Sequence, residues 1–265
     1  MRAALVLFLL TLVASDASAD DWRPTLVYET GPSYVLQNDG QYGAIGTRFD
    51  AGTVGQQDNL VRTSRTSLEL ANGRHVLLLL YAPFELRTQV TLDRELQFRD
   101  ALFASGTVVD HRYLFDGYRA SYLYRVLEGR LALELGGSLQ IRSAEVAFTA
   151  TDGSLRAEQD DIGVVPALKA RLRWQPQASS LWAALEADGS STFGLLDGTS
   201  GGLYDVQLTL GHPVGRGVEI FLGARLLGGG ADVDDQQIDN WANFLSFTAG
   251  ARIALDDLLG TRTPR

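Results

Sequence analysis

Apolar and polar residues alternate with a period of two along most of this chain, and this pattern constrains the fold more than any other feature. The stretch 130–142 shows it most clearly. One set of alternate positions is apolar and the other is polar: Leu131, Leu133, Leu135, Leu139 and Ile141 against Glu134, Ser138, Gln140 and Arg142. Because successive side chains of a β-strand point to opposite faces, the pattern predicts strands with one apolar and one polar face.

Ten segments carry this alternation, most of them in runs of about ten residues or more, and they predict an all-β protein. The segments are 42–51, 59–71, 76–92, 113–126, 130–142, 164–174, 179–188, 202–211, 218–226 and 241–255. In the segment 76–92, the alternation is clearest at the later end. It predicts a polar face and an opposite apolar face: Glu85, Arg87 and Gln89 against Val76, Leu78, Leu80, Phe84 and Leu86.

The connections between these segments alternate between short and long. The short ones include Asn72-Gly73, a hairpin signal for a type I′ turn, which needs positive φ at both central residues. The long ones are rich in Gly, Asp, Ser and Thr: 93–112, 149–161, 189–201 and 228–240. Short turns at one end and long loops at the other are typical of an outer-membrane barrel, with the short turns in the periplasm.

A soluble β-sandwich is the other way to bury strands of period two. Its strands usually have five or six residues, whereas a tilted strand needs about ten to cross a membrane. Aromatic residues also lie near the ends of the apolar faces, as Trp174, Tyr204 and Trp241 do, where an interfacial girdle would place them. The sequence therefore predicts an antiparallel transmembrane β-barrel with short periplasmic turns and long extracellular loops.

The strand count depends on the residues before the first alternating segment. Ten strands from residue 42 onward leave 20–41 as an N-terminal arm. The segment 25–37 is also strand-like, however, and splitting it at Gly31-Pro32 into two first strands would give twelve. The barrel is predicted over 42–255 and a C-terminal tail over 256–265.

The first nineteen residues predict a secretory signal peptide, 1–19. Arg2 precedes a short apolar core, and Ala17 and Ala19 form a cleavage site of small residues. The alternative is an uncleaved anchor helix, for which the apolar run is short. The chain has no cysteine, so a good core or a closed barrel has to hold an exported domain together. The net charge of −9 argues against a nucleic-acid partner.

Charged residues of both signs fall on the predicted lumen face of neighbouring strands. The candidate lumen charge network consists of Arg119, Arg125, Glu134, Arg142, Lys169, Arg171, Arg173, Glu186 and Asp188. In a narrow barrel, side chains fill the interior and buried charges need partners, which favours a structural network. The other interpretation is a lumen selective for ions or solutes.

The sequence gives little support for an active site or for a bound cofactor or metal ion. A lipid-modifying enzyme needs a general base near the outer leaflet, and only His111, flanked by Asp110, lies at the predicted long-loop end. No Ser lies in a nucleophile motif, so we expect no enzymatic activity. An acidic loop could bind Ca²⁺ or Mg²⁺ but lacks EF-hand spacing, so we expect neither metal nor cofactor: Asp232, Asp234, Asp235 and Asp239.

Two stretches resemble a family of uncharacterised bacterial outer-membrane β-barrel proteins. One runs through 102–107, 110–115 and 118–124, and the other comprises 228–232 and 241–244. The resemblance covers roughly the last two thirds of the chain and implies location in the outer membrane. It implies no activity and no functional residues. Such barrels commonly end on an aromatic residue that the assembly machinery reads, whereas this chain continues past Leu255.

Together these features predict a structural or narrow-pore outer-membrane barrel. Its expected partners are outer-membrane lipids, lipopolysaccharide and the barrel assembly machinery. Two alternatives remain: a lipid-modifying acyl hydrolase or transferase that uses His111, and a surface interaction module that acts through the long loops.

Overall fold

Ten antiparallel wall strands pair in chain order and close into a barrel, because the first strand pairs with the last as well as with its chain neighbour. The computed structural model describes residues 22–51, 60–177, 179–192 and 197–259. Its strands are β1 (Arg23–Tyr42), β2 (Phe49–Asp50), β3 (Leu60–Asn72), β4 (His75–Ala82), β5 (Glu85–Thr91), β6 (Leu96–Phe98), β7 (Ala101–Phe103), β8 (Val108–Leu127), β9 (Leu131–Ala150), β10 (Arg156–Trp174), β11 (Trp182–Ser191), β12 (Thr199–Gly215), β13 (Val218–Val233) and β14 (Ile238–Ala254).

The strands β4 and β5 act as one wall strand, since both pair with β8. The two-residue β2 and the hairpin β6–β7 are not part of the wall. A short helix, α1 (Leu255–Leu259), follows the last strand. No helix within the described ranges is long and apolar enough to cross a membrane.

The outer face of the barrel is apolar and the inner face is polar. On β10, Leu168 is 79% exposed, whereas its neighbour Lys169 is 3% exposed and points into the barrel. On β9, Leu135 and Leu139 are exposed while Glu134 is buried. An apolar belt around a polar interior is the arrangement of a transmembrane β-barrel, and it confirms the predicted fold class.

The first wall strand differs from the leading expectation. The segment 42–51 is predicted to be a barrel strand, but beyond Tyr42, the last residue of β1, only Phe49–Asp50 is strand there, and it pairs with β1 alone. The apolar residues Tyr42, Phe49 and Ala51 are buried in a cluster at the barrel mouth, which explains their alternation without contact to lipid. The tenth wall strand is instead β1, one of the possibilities left open for the N-terminal region.

Gly31-Pro32 does not split β1. The strand passes through both residues, and they pair with Thr63 and Arg62 of β3. No pairing with β14 is present between Thr30 and Ser33, where proline has no N–H to donate. The split that would have given twelve strands is therefore wrong.

The two faces of β4 are reversed relative to the prediction. Val76, Leu78 and Leu80 are 0, 5 and 8% exposed and face the interior, and Leu86 of β5 is buried as well. The charged residues at the later end, Glu85 and Arg87, are exposed. Because 76–80 is apolar at every position, alternation could not determine which face is buried.

The two ends of the barrel differ in the predicted way, but much of the long-loop length is strand. Three of the four loops expected to be long are shortened to 151–155, 192–198 and 234–237, because the strands continue into them. Two connections remain long, 43–59 and 92–107. The ends formed by these longer connections and by the short turns are called the loop end and the turn end below.

The β3–β4 turn is of a different type than predicted. Asn72 pairs with His75, so the turn residues are Gly73 and Arg74, and only Gly73 has positive φ, at 54°. Glycine at the first central position fits a type II′ turn rather than type I′. The predicted signal peptide, 1–19, lies outside the described residues, as does the predicted tail beyond Leu259.

Candidate functional site

A central ion cluster crosses the lumen at mid-height. Arg119 on β8 contacts Asp188 on β11 at 2.7 Å and Asp205 on β12 at 3.0 Å, although β9 and β10 separate β8 from β11 in the wall. Arg225 binds Asp205 through two nitrogens, at 2.6 and 2.9 Å. Lys169 donates to both Asp188 and Glu186 at 2.7 Å, which completes the cluster.

The central ion cluster is almost completely shielded from water. The side chains of Arg119, Asp188, Asp205 and Arg225 are 1–6% exposed. The cavities lined in part by Arg119 and by Glu186 have volumes of about 30 and 80 Å³, room for only a few water molecules. Buried charges at this density need mutual pairing, because an unpaired charge in a low-dielectric interior is costly.

A lower ion cluster lies between the central cluster and the turn end. Arg171 bridges two acids, with 2.7 Å to Glu69 and 2.6 Å to Glu134. Arg125 joins Glu134 at 2.9 Å. Arg173 pairs with Glu219 at 2.7 Å, and Arg252 lies 3.4 Å from both Glu69 and Glu219. The guanidinium of Arg173 also lies 4.1 Å from the ring centre of Trp182, within cation–π distance.

The nine sequence-predicted network residues fall into three groups. Arg119, Lys169, Glu186 and Asp188 belong to the central cluster. Arg125, Glu134, Arg171 and Arg173 belong to the lower cluster. Arg142 joins neither, since it pairs with Asp161 nearer the loop end.

Glu29 and Glu69 are buried acids that the sequence did not identify as lumen residues. Glu29 accepts bonds from Arg65 at 2.9 Å and from Gln207 at 2.7 Å, and Glu69 is the shared partner of Arg171 and Arg252. Each alternates with apolar residues, Glu29 with Leu26 and Tyr28 and Glu69 with Leu68 and Leu70, so the alternation of β1 and β3 contained a signal that could have identified them.

The loop end contains an apolar plug on the side of β1, β8 and β9. Its buried members come from strand ends and from the inward-folded connections: Tyr42, Phe49, Ala51, Leu92, Leu96, Phe98, Phe103, Val109, Val146, Phe148, Ala150 and Ile238. The rings of Phe49 and Phe98 each lie 5.3 Å from the ring of Phe148, at steep angles. Apolar side chains thus displace water from this part of the mouth.

His111 is part of this packing. It lies on β8 rather than on a loop, is 1% exposed and stacks on Phe148 with 4.6 Å between ring centres. Its neighbour Asp110 is exposed and accepts a hydrogen bond from Gln89 at 2.8 Å. The two residues point to opposite faces of the strand, so they form no catalytic pair with each other.

A cavity of about 510 Å³ occupies the other side of the loop end. Gln140, Arg142, Asp161 and Leu203 line its interior, and Val164, on the outer face of β10, lines its outer part. Its volume is within the range of roughly 300–1,000 Å³ that is usual for ligand pockets.

The acidic residues near the β13–β14 turn do not form a metal cage. Asp239 pairs with Arg48, and Asp234 and Asp235 lie in a 3-10 turn, 234–236. Within the described ranges, no group of three or more His, Asp or Glu side chains could hold a metal ion.

No protein-family model matches the chain, and no curated protein is significantly similar to it in sequence. Similar solved structures include the outer membrane protease OmpT from Escherichia coli, at 9% identity and a TM-score of 0.49, over 88% of this chain and 97% of that chain. Another is Ail, the attachment invasion locus protein of Yersinia pestis, at 10% identity and a TM-score of 0.39, over 87% of this chain and 99% of that chain.

The transport unit of the autotransporter AIDA-I from Escherichia coli is a third, at 10% identity and a TM-score of 0.43, over 96% of this chain and 97% of that chain. The structural neighbours are bacterial outer-membrane β-barrel proteins. Their names describe different functions. The resemblance to one uncharacterised family stays a prediction.

Proposed function

We propose that this protein is an outer-membrane β-barrel whose lumen is closed at mid-height, and which neither conducts solutes nor catalyses a reaction. The observation that carries the proposal is the central ion cluster, in which Arg119 spans the lumen to reach Asp188 and Asp205. Location in the outer membrane is supported by the apolar belt and by the signal-like first residues.

A conducting lumen would need a continuous water path, and the packing opposes one. The central ion cluster and the lower ion cluster lie in series along the barrel, and the cavities against them are small. Moving an ion through would require the separation of buried pairs, of which breaking one typically costs about 3–5 kcal/mol. The interior therefore serves as a polar core that holds ten strands in register.

Planar-bilayer recording of the refolded protein tests the first half of this proposal. The wild type should give no discrete conductance steps. A variant with Arg119, Asp188, Asp205 and Arg225 all changed to Ala provides the comparison, because it loses two charges of each sign and keeps the net charge. We expect this variant to leak ions. Discrete steps from the wild type would refute a closed lumen.

The second half of the proposal is that the protein catalyses no reaction, and the position of His111 supports this absence of catalysis. A general base must reach its substrate, whereas His111 is 1% exposed within an apolar plug. The purified barrel, incubated with lipopolysaccharide and phospholipids, should release no fatty acid and change no lipid A mass. Turnover that disappears in His111→Ala would instead favour the lipid-modifying alternative.

A further inference from the structure

The wall of the barrel parts between β10 and β11. These strands pair only from Leu168 and Gly189 down to the turn end. Beyond that point, β10 continues from Ala167 to Arg156 with β9 as its only strand partner among the described residues. The end of β11 likewise pairs only with β12, up to Ser191. The two strands thus form a wedge that widens toward the loop end.

The wedge begins within the apolar belt. On β10, Val164 and Ile162 are 64 and 75% exposed on the outer face, and the first charged outward residue above them is Asp160. Unpaired backbone groups facing hydrocarbon are strongly destabilising, so open strand edges are tolerated at this depth only where they are covered by protein or line a polar or water-filled space. Pro166, at the wedge, has no N–H to leave unpaired.

The cavity of about 510 Å³ passes through this wedge. Its lining includes both inward positions of β10, such as Val165, and outward positions, such as Pro166. A groove on the outer surface shares Pro166, Ser190 and Leu203 with the cavity. The interior space is therefore continuous with the lipid-facing surface.

A second wedge in the wall is closed, which shows that parted strands need not leave a cavity. The strand β3 above Thr66 pairs only with β1, and β5 pairs only with β8. Phe84 fills the space between them and packs against Phe244 at 4.8 Å between ring centres. The cavity remaining there is about 30 Å³. The β10–β11 wedge instead holds the cavity of about 510 Å³.

Arg142 lies at the inner end of the open cavity, and not all N–H donors of its guanidinium are used. Arg142 makes one ion pair, with Asp161, and its buried Nε has no hydrogen-bond partner among the described residues. Gln140 and Asn38 add amide groups to the same lining. A guanidinium can bind a carboxylate through two parallel hydrogen bonds, and this pairing is strong where water is excluded.

We propose that this opening binds a long-chain fatty acid that enters sideways from the outer leaflet of the membrane. Its carboxylate would share the Arg142 guanidinium with Asp161. Its alkyl chain would pass Leu203 inside the cavity and Val164 on the outer face and remain in contact with lipid, so that it never has to enter water. This ligand site goes beyond the proposed function and does not depend on whether the lumen conducts.

The test is a titration of the refolded barrel, in micelles of a non-ionic detergent, with the fluorescent fatty acid cis-parinaric acid. Wild-type binding should saturate. Arg142→Gln should weaken it by on the order of tenfold, because a hydrogen bond to a charged group is lost. Arg87→Gln, at an exposed ion pair, should bind like the wild type. A fatty alcohol of equal length should compete only weakly with cis-parinaric acid, and to the same extent for the wild type and for Arg142→Gln.

Entry through the wall is tested by filling it. Ser190→Trp places a large ring in the wedge and should abolish saturable binding, whereas Leu208→Trp, on the outer face of β12, should not. Each variant is compared as the folded species on an unboiled gel, and Ser190→Leu replaces Ser190→Trp if the latter does not fold. Non-saturable partitioning into every variant, or saturable binding unaffected by both Arg142→Gln and the Ser190 variant, would overturn the proposal.

Discussion

Arg119 and Asp188 form a 2.7 Å ion pair across the barrel, with side chains 4 and 1% exposed, although their strands are not neighbours in the wall. A contact of this kind ties distant wall strands together. Adjacent strands are already held by backbone hydrogen bonds, whereas strands β8 and β11 depend on what crosses the lumen.

Arg119→Ala should therefore destabilise the folded barrel by about 3–5 kcal/mol, because it leaves Asp188 and Asp205 buried with fewer partners. The free energy of unfolding is measured by urea titration in lipid vesicles. Arg87→Ala, which removes an exposed ion pair with Glu85, should cost no more than about 1 kcal/mol. Equal losses for the two variants would mean that the lumen is hydrated.

Leu208→Arg should impair insertion into bilayers. Leu208 is 50% exposed on the outer face near the middle of β12, and arginine near the bilayer midplane costs roughly 2–4 kcal/mol in transmembrane barrels. Leu102→Arg is the matched control, since Leu102 is 52% exposed on the β6–β7 hairpin at the loop end. The yield of folded protein after refolding into vesicles should fall only for Leu208→Arg.

Gly136→Ala should be destabilising by about 1–3 kcal/mol through overpacking. A Cβ at Gly136 would lie 1.9 Å from the carbonyl oxygen of Tyr122, so backbone would have to move. At the next residue, Gly137, the nearest atom would be the carbonyl oxygen of Ala167 at 3.5 Å, an ordinary contact. Gly137→Ala should accordingly be within about 0.5 kcal/mol of the wild type in the same urea titration. A similar loss for both would argue against the close strand approach.

Phe148→Ala should loosen the apolar plug. The ring is 0% exposed and contacts Phe49, Phe98 and His111, and such truncations cost about 3–5 kcal/mol. Trypsin should then cut faster in the connection 92–107, which contains Arg94 and Arg99. Phe247→Ala, at a lipid-facing ring, should leave the cleavage rate unchanged. Unchanged cleavage in Phe148→Ala would show that the connection is held by something other than the plug.

Strands with a strict alternation were predictable from the sequence, and so were their faces. On β10, Leu168 and Lys169 take the outward and inward positions that their chemistry requires, because a one-residue shift would put the ammonium in lipid. The faces of β4 were not predictable, because Val76 to Leu80 are apolar at every position and either register would look acceptable.

Two other features depended on tertiary contacts that alternation does not encode. The local sequence at Gly31-Pro32 predicts the end of a strand, yet β1 continues because β3 still pairs with both residues. His111 reads as a loop residue, yet it is buried because inward-folded connections bring Phe49 against Phe148 beside it. The sequence likewise did not predict which acid pairs with which base among the lumen residues, because the paired residues lie far apart in the chain.

Lys169 is the only lysine in the chain, and its side chain is 0% exposed between Glu186 and Asp188. Apart from the amino terminus, the folded protein therefore presents no amine to an acylating reagent. Covalent labelling at this single position would count the molecules whose wall has opened, and the rate of labelling would report how often that happens. The rate at which Lys169 is labelled thus measures how often the barrel opens, without any introduced probe.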